Sequence, residues 1–242
     1  MADRPPRRTG SRRAVLGLIA TAVAPAALGP RGARAARTAS REMDLPDFDR
    51  LVLQVPANVR IRIGSRNHAR IEAEPKVIDR IAFRGDGRTL RVMASGSFQT
   101  EEAIQIQLEC RRLSALDAQA SVDATVDGLE GKSLELTAGD SATVNLERLN
   151  LQALRADIGG SATVNASGKA AEQKAVVAGA ATYDAKRLQS ATARIEASGS
   201  SDVSVDSREL LEVDVSGAAT VQYAGKPRLK QSVGGAGTLE RM

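Results

Sequence analysis

A short motif recurs through the second half of this chain. Segments of the type Ala-Thr-Val-Asp place their second residue at positions 125, 143, 163, 182, 202, 220 and 238, so neighbouring copies are 18 to 20 residues apart. Most copies follow, by two to four residues, a glycine of the set Gly139, Gly159, Gly160, Gly179, Gly199, Gly217 and Gly235. A unit this short cannot bury an apolar face alone, so it must stack on its neighbours.

Stacked units of this size predict an all-β fold, a right-handed parallel β-helix with coils of 18–20 residues. Equivalent residues then form columns, and neighbouring strand positions point to opposite faces. One column is expected to point inward: Val126, Val144, Val164, Tyr183, Val203, Val221 and Leu239. The preceding column is expected to point outward: Thr125, Thr143, Thr163, Thr182, Thr220 and Thr238. Threonine favours strands, so the outward column can be structural and needs no ligand to explain it.

Residues 45–112 carry a different pattern, in which apolar and polar residues alternate. Such alternation predicts strands with one buried face and one wet face. The sequence therefore predicts a β-strand-rich N-terminal part ahead of the repeat part, residues 113–242. Residues 76–83 fit either a strand or a short helix, and a strand is expected.

The first 35 residues have the order of a secretory signal peptide. They hold seven arginines and a single acidic residue, followed by an uncharged stretch from residue 14 to residue 30. Ala33 and Ala35 form a small-x-small cleavage pattern. The predicted organisation is a signal peptide over 1–35, a linker over 36–44 and a folded domain over 45–242, with no membrane span after cleavage. Retention of the segment as an uncleaved anchor is the alternative.

The signal resembles the twin-arginine export motif through Ser11, Arg12, Arg13 and Leu16. An ordinary Sec signal with an arginine-rich start is the alternative. Either route predicts a periplasmic, secreted or cell-surface protein. Without the signal, 27 basic and 28 acidic residues remain, so the basic character of the whole chain does not indicate a nucleic-acid partner.

Residues that could carry chemistry are few. One cysteine and one histidine exclude an internal disulfide and a site built from several such ligands, so no cofactor or metal is expected. His68 is a possible general base or a surface histidine. Cys110 is either buried at a strand end or activated by the cations Arg111 and Arg112. The Asn and Asp residues that follow the Thr-Val pairs are too irregular for a calcium-binding repeat.

The C-terminal region carries the most specific likeness. Residues 210–227 and 233–239, with the turn Tyr223-Ala224-Gly225-Lys226-Pro227, resemble the head GIN domain family, named for the head of an auto-transporter adhesin. The likeness extends over about residues 45–242 and marks Tyr223, Gly225 and Pro227 as the family turn. It implies a secreted or envelope-located β-helical protein and supplies no catalytic residues.

Two functions follow as hypotheses. The first is a non-enzymatic envelope module that binds or supports an envelope component, a glycan or a protein, through the outer faces of the solenoid. The second is a carbohydrate-active hydrolase or lyase, because β-helices also host such enzymes. The exposed residues considered for that chemistry are Arg155, Lys174, Arg194 and Asp202. Their sequence pattern shows no catalytic arrangement, so the chain is not expected to be an enzyme.

Overall fold

The computed structural model describes residues 38–96 and 98–242. Its strands are β1 (Ala39–Asp44), β2 (Arg50–Gln54), β3 (Asn58–Ile63), β4 (His68–Ala73), β5 (Ile81–Asp86), β6 (Thr89–Ala94), β7 (Gln105–Cys110), β8 (Ala115–Ala118), β9 (Asp123–Asp127), β10 (Glu130–Ala138), β11 (Thr143–Ile158), β12 (Thr163–Val177), β13 (Thr182–Ala197), β14 (Asp202–Val215), β15 (Thr220–Ala224), β16 (Arg228–Val233) and β17 (Thr238–Arg241). A short helix, α1, spans Pro75–Ile78. The fold is a β-solenoid of about six turns, which confirms the predicted fold class.

Two parallel stacks of strand segments make up the solenoid. Each coil has a tight turn at one corner. At the opposite corner, each of the strands β11 to β14 bends and continues from one stack into the other. We call the stack after the tight turns the post-turn sheet: β1, β4, β7, β3, β9, the first halves of β11 to β14, β15 and β17. We call the other stack the pre-turn sheet: β5, β6, β2, β8, β10, the second halves of β11 to β14, and β16.

The N-terminal part belongs to the solenoid, although its coils are stacked out of chain order. β2 lies between β6 and β8, and β3 lies between β7 and β9, all in parallel register. The chain therefore forms one coil, passes outward to form the terminal coil, and returns above the first. Antiparallel strands β1, β4 and β5 extend this end of the stack. The sequence predicts these strands, whereas their order is visible only in the structure.

Two local expectations for the N-terminal part are wrong. Residues 39–44 of the expected linker form β1, because every residue from Ala39 to Asp44 has a partner along the edge of β4. The expected strand over 76–83 begins as helix α1. Pro75 starts that helix, where a missing N–H costs nothing, and Val77 and Ile78 are buried by it. Strand β5 begins only at Ile81.

The register of the first motif also differs from the expected one. Val126 pairs with Leu146, and Val144 pairs with Ala124, so the copy at 124–127 is shifted by two residues relative to the next copy. From Thr143 onward the motifs pair as expected, in the column Thr143, Thr163, Thr182, Asp202, Thr220 and Thr238. A shift of two residues leaves every side chain on the same face of the sheet, so the motif alone does not reveal this shift in register.

Glycines stack in the tight turns for a steric reason. Gly160, Gly179, Gly199, Gly217 and Gly235 all have φ between 67° and 84°. A Cβ at Gly199 would lie 2.6 Å from the carbonyl oxygen of Gly179 in the coil below. That carbonyl accepts a hydrogen bond from the Ser200 N–H at 2.8 Å, and the same bond repeats from coil to coil. The recurrent glycine is thus required both by a positive φ and by close stacking.

The interior of the coils is narrow and almost entirely aliphatic. Val126, Val144, Val164, Tyr183, Val203 and Val221 are buried, and Leu239 in the last coil is half-buried. The buried Tyr183 hydroxyl donates to Gln173 Oε1 at 3.1 Å, and Gln173 Nε2 donates to Ser190 Oγ at 2.8 Å. Burial raises the pKa of the Tyr183 hydroxyl above its ordinary value. This chain of bonds satisfies polar atoms inside the core.

Candidate functional site

The outer side of the repeat coils is a ladder of small polar side chains. We call this surface the ladder face and define it by the columns Thr143, Thr163, Thr182, Asp202, Thr220, Thr238 and Asn145, Asn165, Asp184, Ser204, Gln222, Glu240. Asn165 donates to Asn145 Oδ1 at 2.9 Å, which links the side chains of two neighbouring rungs. Most of the threonines are half-buried by the rungs above and below. The ladder face is therefore regular and occupied largely with its own contacts.

The same sheet changes character at its N-terminal end, where long charged side chains replace the small ones. β3 presents Arg60 and Arg62 outward, and β4 presents His68 and Arg70. The strand between them, β7, presents amide side chains at Gln105 and Gln107. Because these three strands are adjacent, side chains that are distant in the sequence form one surface.

This surface contains a groove. One depression, with a volume of about 470 Å³, is lined by residues including Arg62, Arg66 and Arg70. A second depression, of about 270 Å³, is lined by residues including Asn58, Arg60 and Gln105. Gln107 lines both depressions. We call the combined feature the arginine groove and define it by Arg60, Arg62, Arg66, Arg70, Gln105 and Gln107.

Among the described residues, most carboxylates around the groove are engaged by arginines, and the exception is Asp123, which lines the second depression. Glu109 accepts hydrogen bonds from Arg66 Nε at 3.3 Å and from the Ser65 N–H at 3.1 Å. These bonds, the one from the Arg66 guanidinium first, hold the pKa of Glu109 below its usual range. On the other side of β3, Asp127 pairs with Arg148. Glu109 and Asp127 are thus engaged with partners at the edge of the groove.

Arg60 and Arg62 are the exposed cations left over from this network. In register, Arg62 lies between Glu109 and Asp127, and Arg60 lies between Gln107 and Thr125. Within residues 38–96 and 98–242, neither guanidinium forms an ion pair or a side-chain hydrogen bond. Arg70, in contrast, is paired with Glu72 at 2.7 Å and with Glu42 at 3.4 Å. The groove therefore exposes two guanidinium groups, carried by residues whose backbones are about 7 Å apart along the strand.

His68 borders the groove beside two carboxylates. Its Nδ1 lies 3.2 Å from Asp44 Oδ1, and its Nε2 lies 3.9 Å from Glu42 Oε2. Its neighbour across the sheet is Glu109. A nucleophilic hydroxyl or thiol is not among the residues described here that line the depression beside His68. His68 therefore lies among carboxylates, and the geometry does not assemble a catalytic triad around it.

Cys110 is buried in the core and faces away from the groove. Desolvation, together with the charge of Glu109, raises the pKa of its thiol to about 12. Of the two expectations, burial is confirmed and activation by Arg111 and Arg112 is wrong. Loss of water around the sulfur and the charge of Glu109 outweigh the hydrogen bond from the backbone N–H of Arg112, so the thiolate is disfavoured.

The other charged residues considered for polysaccharide chemistry are not brought together. Arg155, Lys174 and Arg194 form one column on the pre-turn sheet, whereas Asp202 lies on the ladder face of the post-turn sheet. Arg194 is engaged by Glu196 at 3.2 Å and by Glu212 at 3.0 Å. In the described part of the chain, no cluster of three or more metal-ligating side chains is found.

Comparison with known proteins identifies the family. The model of a family described as "Putative auto-transporter adhesin, head GIN domain" matches residues 47–227. The chain belongs to the head GIN domain family. That confirms the resemblance seen in the sequence. No curated protein matches the chain.

Several solved structures share the fold. A putative adhesin from Bacteroides fragilis NCTC 9343 superposes with a TM-score of 0.81 at 17% identity, covering 86% of this chain and 98% of that one. A putative adhesin from Parabacteroides distasonis ATCC 8503 gives 0.69 at 14% identity, covering 85% and 97%. A protein from the same strain described as a putative lipid binding protein gives 0.69 at 16% identity, covering 86% and 98%. At these identities the likeness concerns the fold.

The remaining predicted residues have these positions. Gly225 has a φ of 96° in the family turn between β15 and β16, and its neighbours Tyr223 and Pro227 are half-buried. Ser11, Arg12, Arg13, Leu16, Ala33 and Ala35 lie outside the described residues. Within the described ranges, no helix has the length and apolar character needed to span a membrane. The arginine groove was not predicted as a site, because its residues come from separate strands with no common motif.

Proposed function

We propose that this head GIN domain protein is an exported, non-enzymatic binding module that contacts an envelope or extracellular partner through the arginine groove. The observation that carries the proposal is the pair of exposed cations, Arg60 and Arg62, left without an ion pair among the described residues beside engaged carboxylates. Membership of an adhesin-named family supports a binding role. Extended solenoid surfaces are well suited to such binding.

The rest of the solenoid acts as a scaffold in this proposal. Strands β3, β4 and β7 are held by continuous backbone pairing, so the groove side chains start from fixed positions. Rigid placement lowers the entropic cost of binding. The ladder face, whose threonines are mostly half-buried by the neighbouring rungs, then has a structural role.

Binding of purified protein to envelope fractions tests the proposed site. We expect saturable binding that is lost in the double variant Arg60→Gln/Arg62→Gln. The matched control is Arg155→Gln/Lys230→Gln, which removes the same charge from exposed positions on the pre-turn sheet. Equal loss in both variants, or no loss in either, would contradict a specific role of the groove. Turnover of any polysaccharide in a broad panel would contradict the non-enzymatic part.

Export is proposed from the arginine-rich leader. Arg12 and Arg13 form the pair that a twin-arginine receptor reads. We expect Arg12→Lys/Arg13→Lys to leave the precursor in the cytoplasm, as measured by fractionation and by the size of the chain. Unchanged export of this variant would reject the twin-arginine route, and failure of any export of the native chain would reject the signal itself.

A further inference from the structure

The arginine groove has the chemistry of a site for an acidic polysaccharide, and we propose that a carboxylate-bearing glycan is its ligand. This inference rests on the proposed function of the groove and names the class of molecule that it binds. Three observations carry it: the free guanidinium groups, the amide and hydroxyl side chains between them, and the open course of the groove over several strands.

The two arginines without ion pairs among the described residues indicate that the ligand is negatively charged. Arg60 and Arg62 are on the same side of β3, and the carboxylates next to Arg62, Glu109 and Asp127, are occupied by Arg66 and Arg148. A guanidinium group binds a carboxylate through two parallel hydrogen bonds. Two such groups along one strand fit successive anionic groups of a polymer better than a single small anion.

The uncharged residues of the groove indicate that the ligand carries hydroxyl groups between its anionic groups. Asn58, Gln105, Gln107 and Thr125 line the depression around Arg60. Their amide and hydroxyl groups can both donate and accept hydrogen bonds, which matches the alternating hydroxyl groups of a sugar chain. A ligand that was merely anionic would leave these groups without partners of their own.

The groove also disfavours other polyanions. The described residues that line it include no phenylalanine, tyrosine or tryptophan, and single-stranded nucleic acids depend on stacking against such rings. The exposed large apolar side chains in the described part are Val233 and Met242, which belong to the C-terminal coil and its end. An acidic peptide would therefore find no exposed apolar anchor in the groove.

The groove extends over several strands. Its two depressions take residues from β1, β4, β7, β3 and β9, and they meet at Gln107. The depressions are shallow and polar, unlike the enclosed apolar pockets that hold small ligands. Arg62 lines the first depression and Arg60 the second, so a chain molecule that runs along β3 would contact both depressions at once.

The test measures binding of the exported protein to polygalacturonate by titration calorimetry at low salt. The matched probe is the fully methyl-esterified polymer, which keeps the sugar backbone and loses the charge. We expect binding to polygalacturonate alone, weakened by added salt. Arg60→Gln/Arg62→Gln should weaken it at least about tenfold, since two charge-assisted contacts are lost. Arg155→Gln/Lys230→Gln should leave it within about twofold.

Other probes define the outcomes that overturn the inference. If poly-glutamate bound with the same affinity as polygalacturonate, the groove would recognise charge alone, and the glycan assignment would be overturned. Stronger binding of dextran sulfate than of polygalacturonate would overturn the preference for carboxylates. If no polymer binds while the groove variant still loses envelope binding, the ligand class is wrong and the proposed function stands. If the groove variant binds envelope fractions and polygalacturonate as well as the native protein does, both proposals fail.

Discussion

The repeat coils and the N-terminal coils share one fold and build different surfaces. In the repeat, small side chains such as Thr163 and Asn165 stack into a regular ladder, in which Asn165 bonds to Asn145 of the neighbouring rung. In the N-terminal coils, β3 and β7 present long side chains, and Arg60 and Arg62 remain without ion pairs among the described residues. Regular stacking therefore supplies stability, and the proposed binding surface lies where the chain departs from the repeat.

The largest expected loss of stability comes from a substitution that disrupts the stacking of the repeat coils. Val164 is fully buried, whereas Thr163 beside it is on the ladder face and half-buried. Val164→Asp places an uncompensated charge in the core and should lower the free energy of unfolding by about 4 kcal/mol or more. Thr163→Asp should cost less than about 1 kcal/mol. Urea unfolding measures both, and similar midpoints for the two variants would contradict the assigned faces.

A tight turn of the repeat gives the next largest effect. Gly199 has a φ of 77°, and a Cβ there would press on the carbonyl oxygen of Gly179. Gly199→Ala should lower the free energy of unfolding by about 1–3 kcal/mol. At Gly159 a Cβ would meet nothing within 4 Å and φ is not positive, so Gly159→Ala is the control and should cost little. A larger loss for Gly159→Ala in thermal unfolding would show that the turns are wrongly assigned.

The core of the N-terminal coils gives a pH-dependent effect. The pKa of Cys110 is raised to about 12 in the folded chain, so folded protein holds this proton at a pH where the unfolded chain has lost it. Stability from this group is complete below pH about 9 and falls above it, by at most about 1.4 kcal/mol per pH unit.

Cys110→Ala removes that proton and should flatten the decline between about pH 9 and pH 10, whatever its effect on absolute stability. The measurement is the urea midpoint as a function of pH, with the native chain as reference. An identical slope in the two proteins would show that the thiol is accessible to water in the folded state.

The smallest expected effect on stability belongs to the groove itself. Arg60 is exposed and without an ion pair among the described residues, so Arg60→Gln should change the free energy of unfolding by less than about 0.5 kcal/mol. On the ladder face, Asn165→Ala removes a bond to Asn145 and should cost about 1 kcal/mol. A larger loss for Arg60→Gln would mean that Arg60 supports the fold, and the contrast between the two surfaces would be weakened.

The two regions also differ in how far the sequence predicts them. In the repeat, Val203 and Thr220 could be assigned to faces because the motif recurs and a strand alternates its side chains. The position of β2 between β6 and β8 could not be predicted, since no repeat links those segments and the pairing is not between chain neighbours.

The candidate site was missed for a related reason. Arg60 and Arg62 are visible as outward residues of an alternating strand, but the sequence does not show which carboxylates are engaged elsewhere. Arg66 reaches Glu109 from a separate turn, and Arg148 reaches Asp127 from the next coil. Only the three-dimensional arrangement reveals which cations are left over.

The most direct test of the account asks which surface meets the ligand. A single environment-sensitive fluorophore can be attached through Ser65→Cys, next to Arg66 in the groove, or through Thr238→Cys on the ladder face, because the native Cys110 is buried. On titration with polygalacturonate, we predict a saturable, salt-reversible change at position 65 and none at position 238. A response at position 238 without one at position 65 would contradict the assignment of binding to the irregular N-terminal coils.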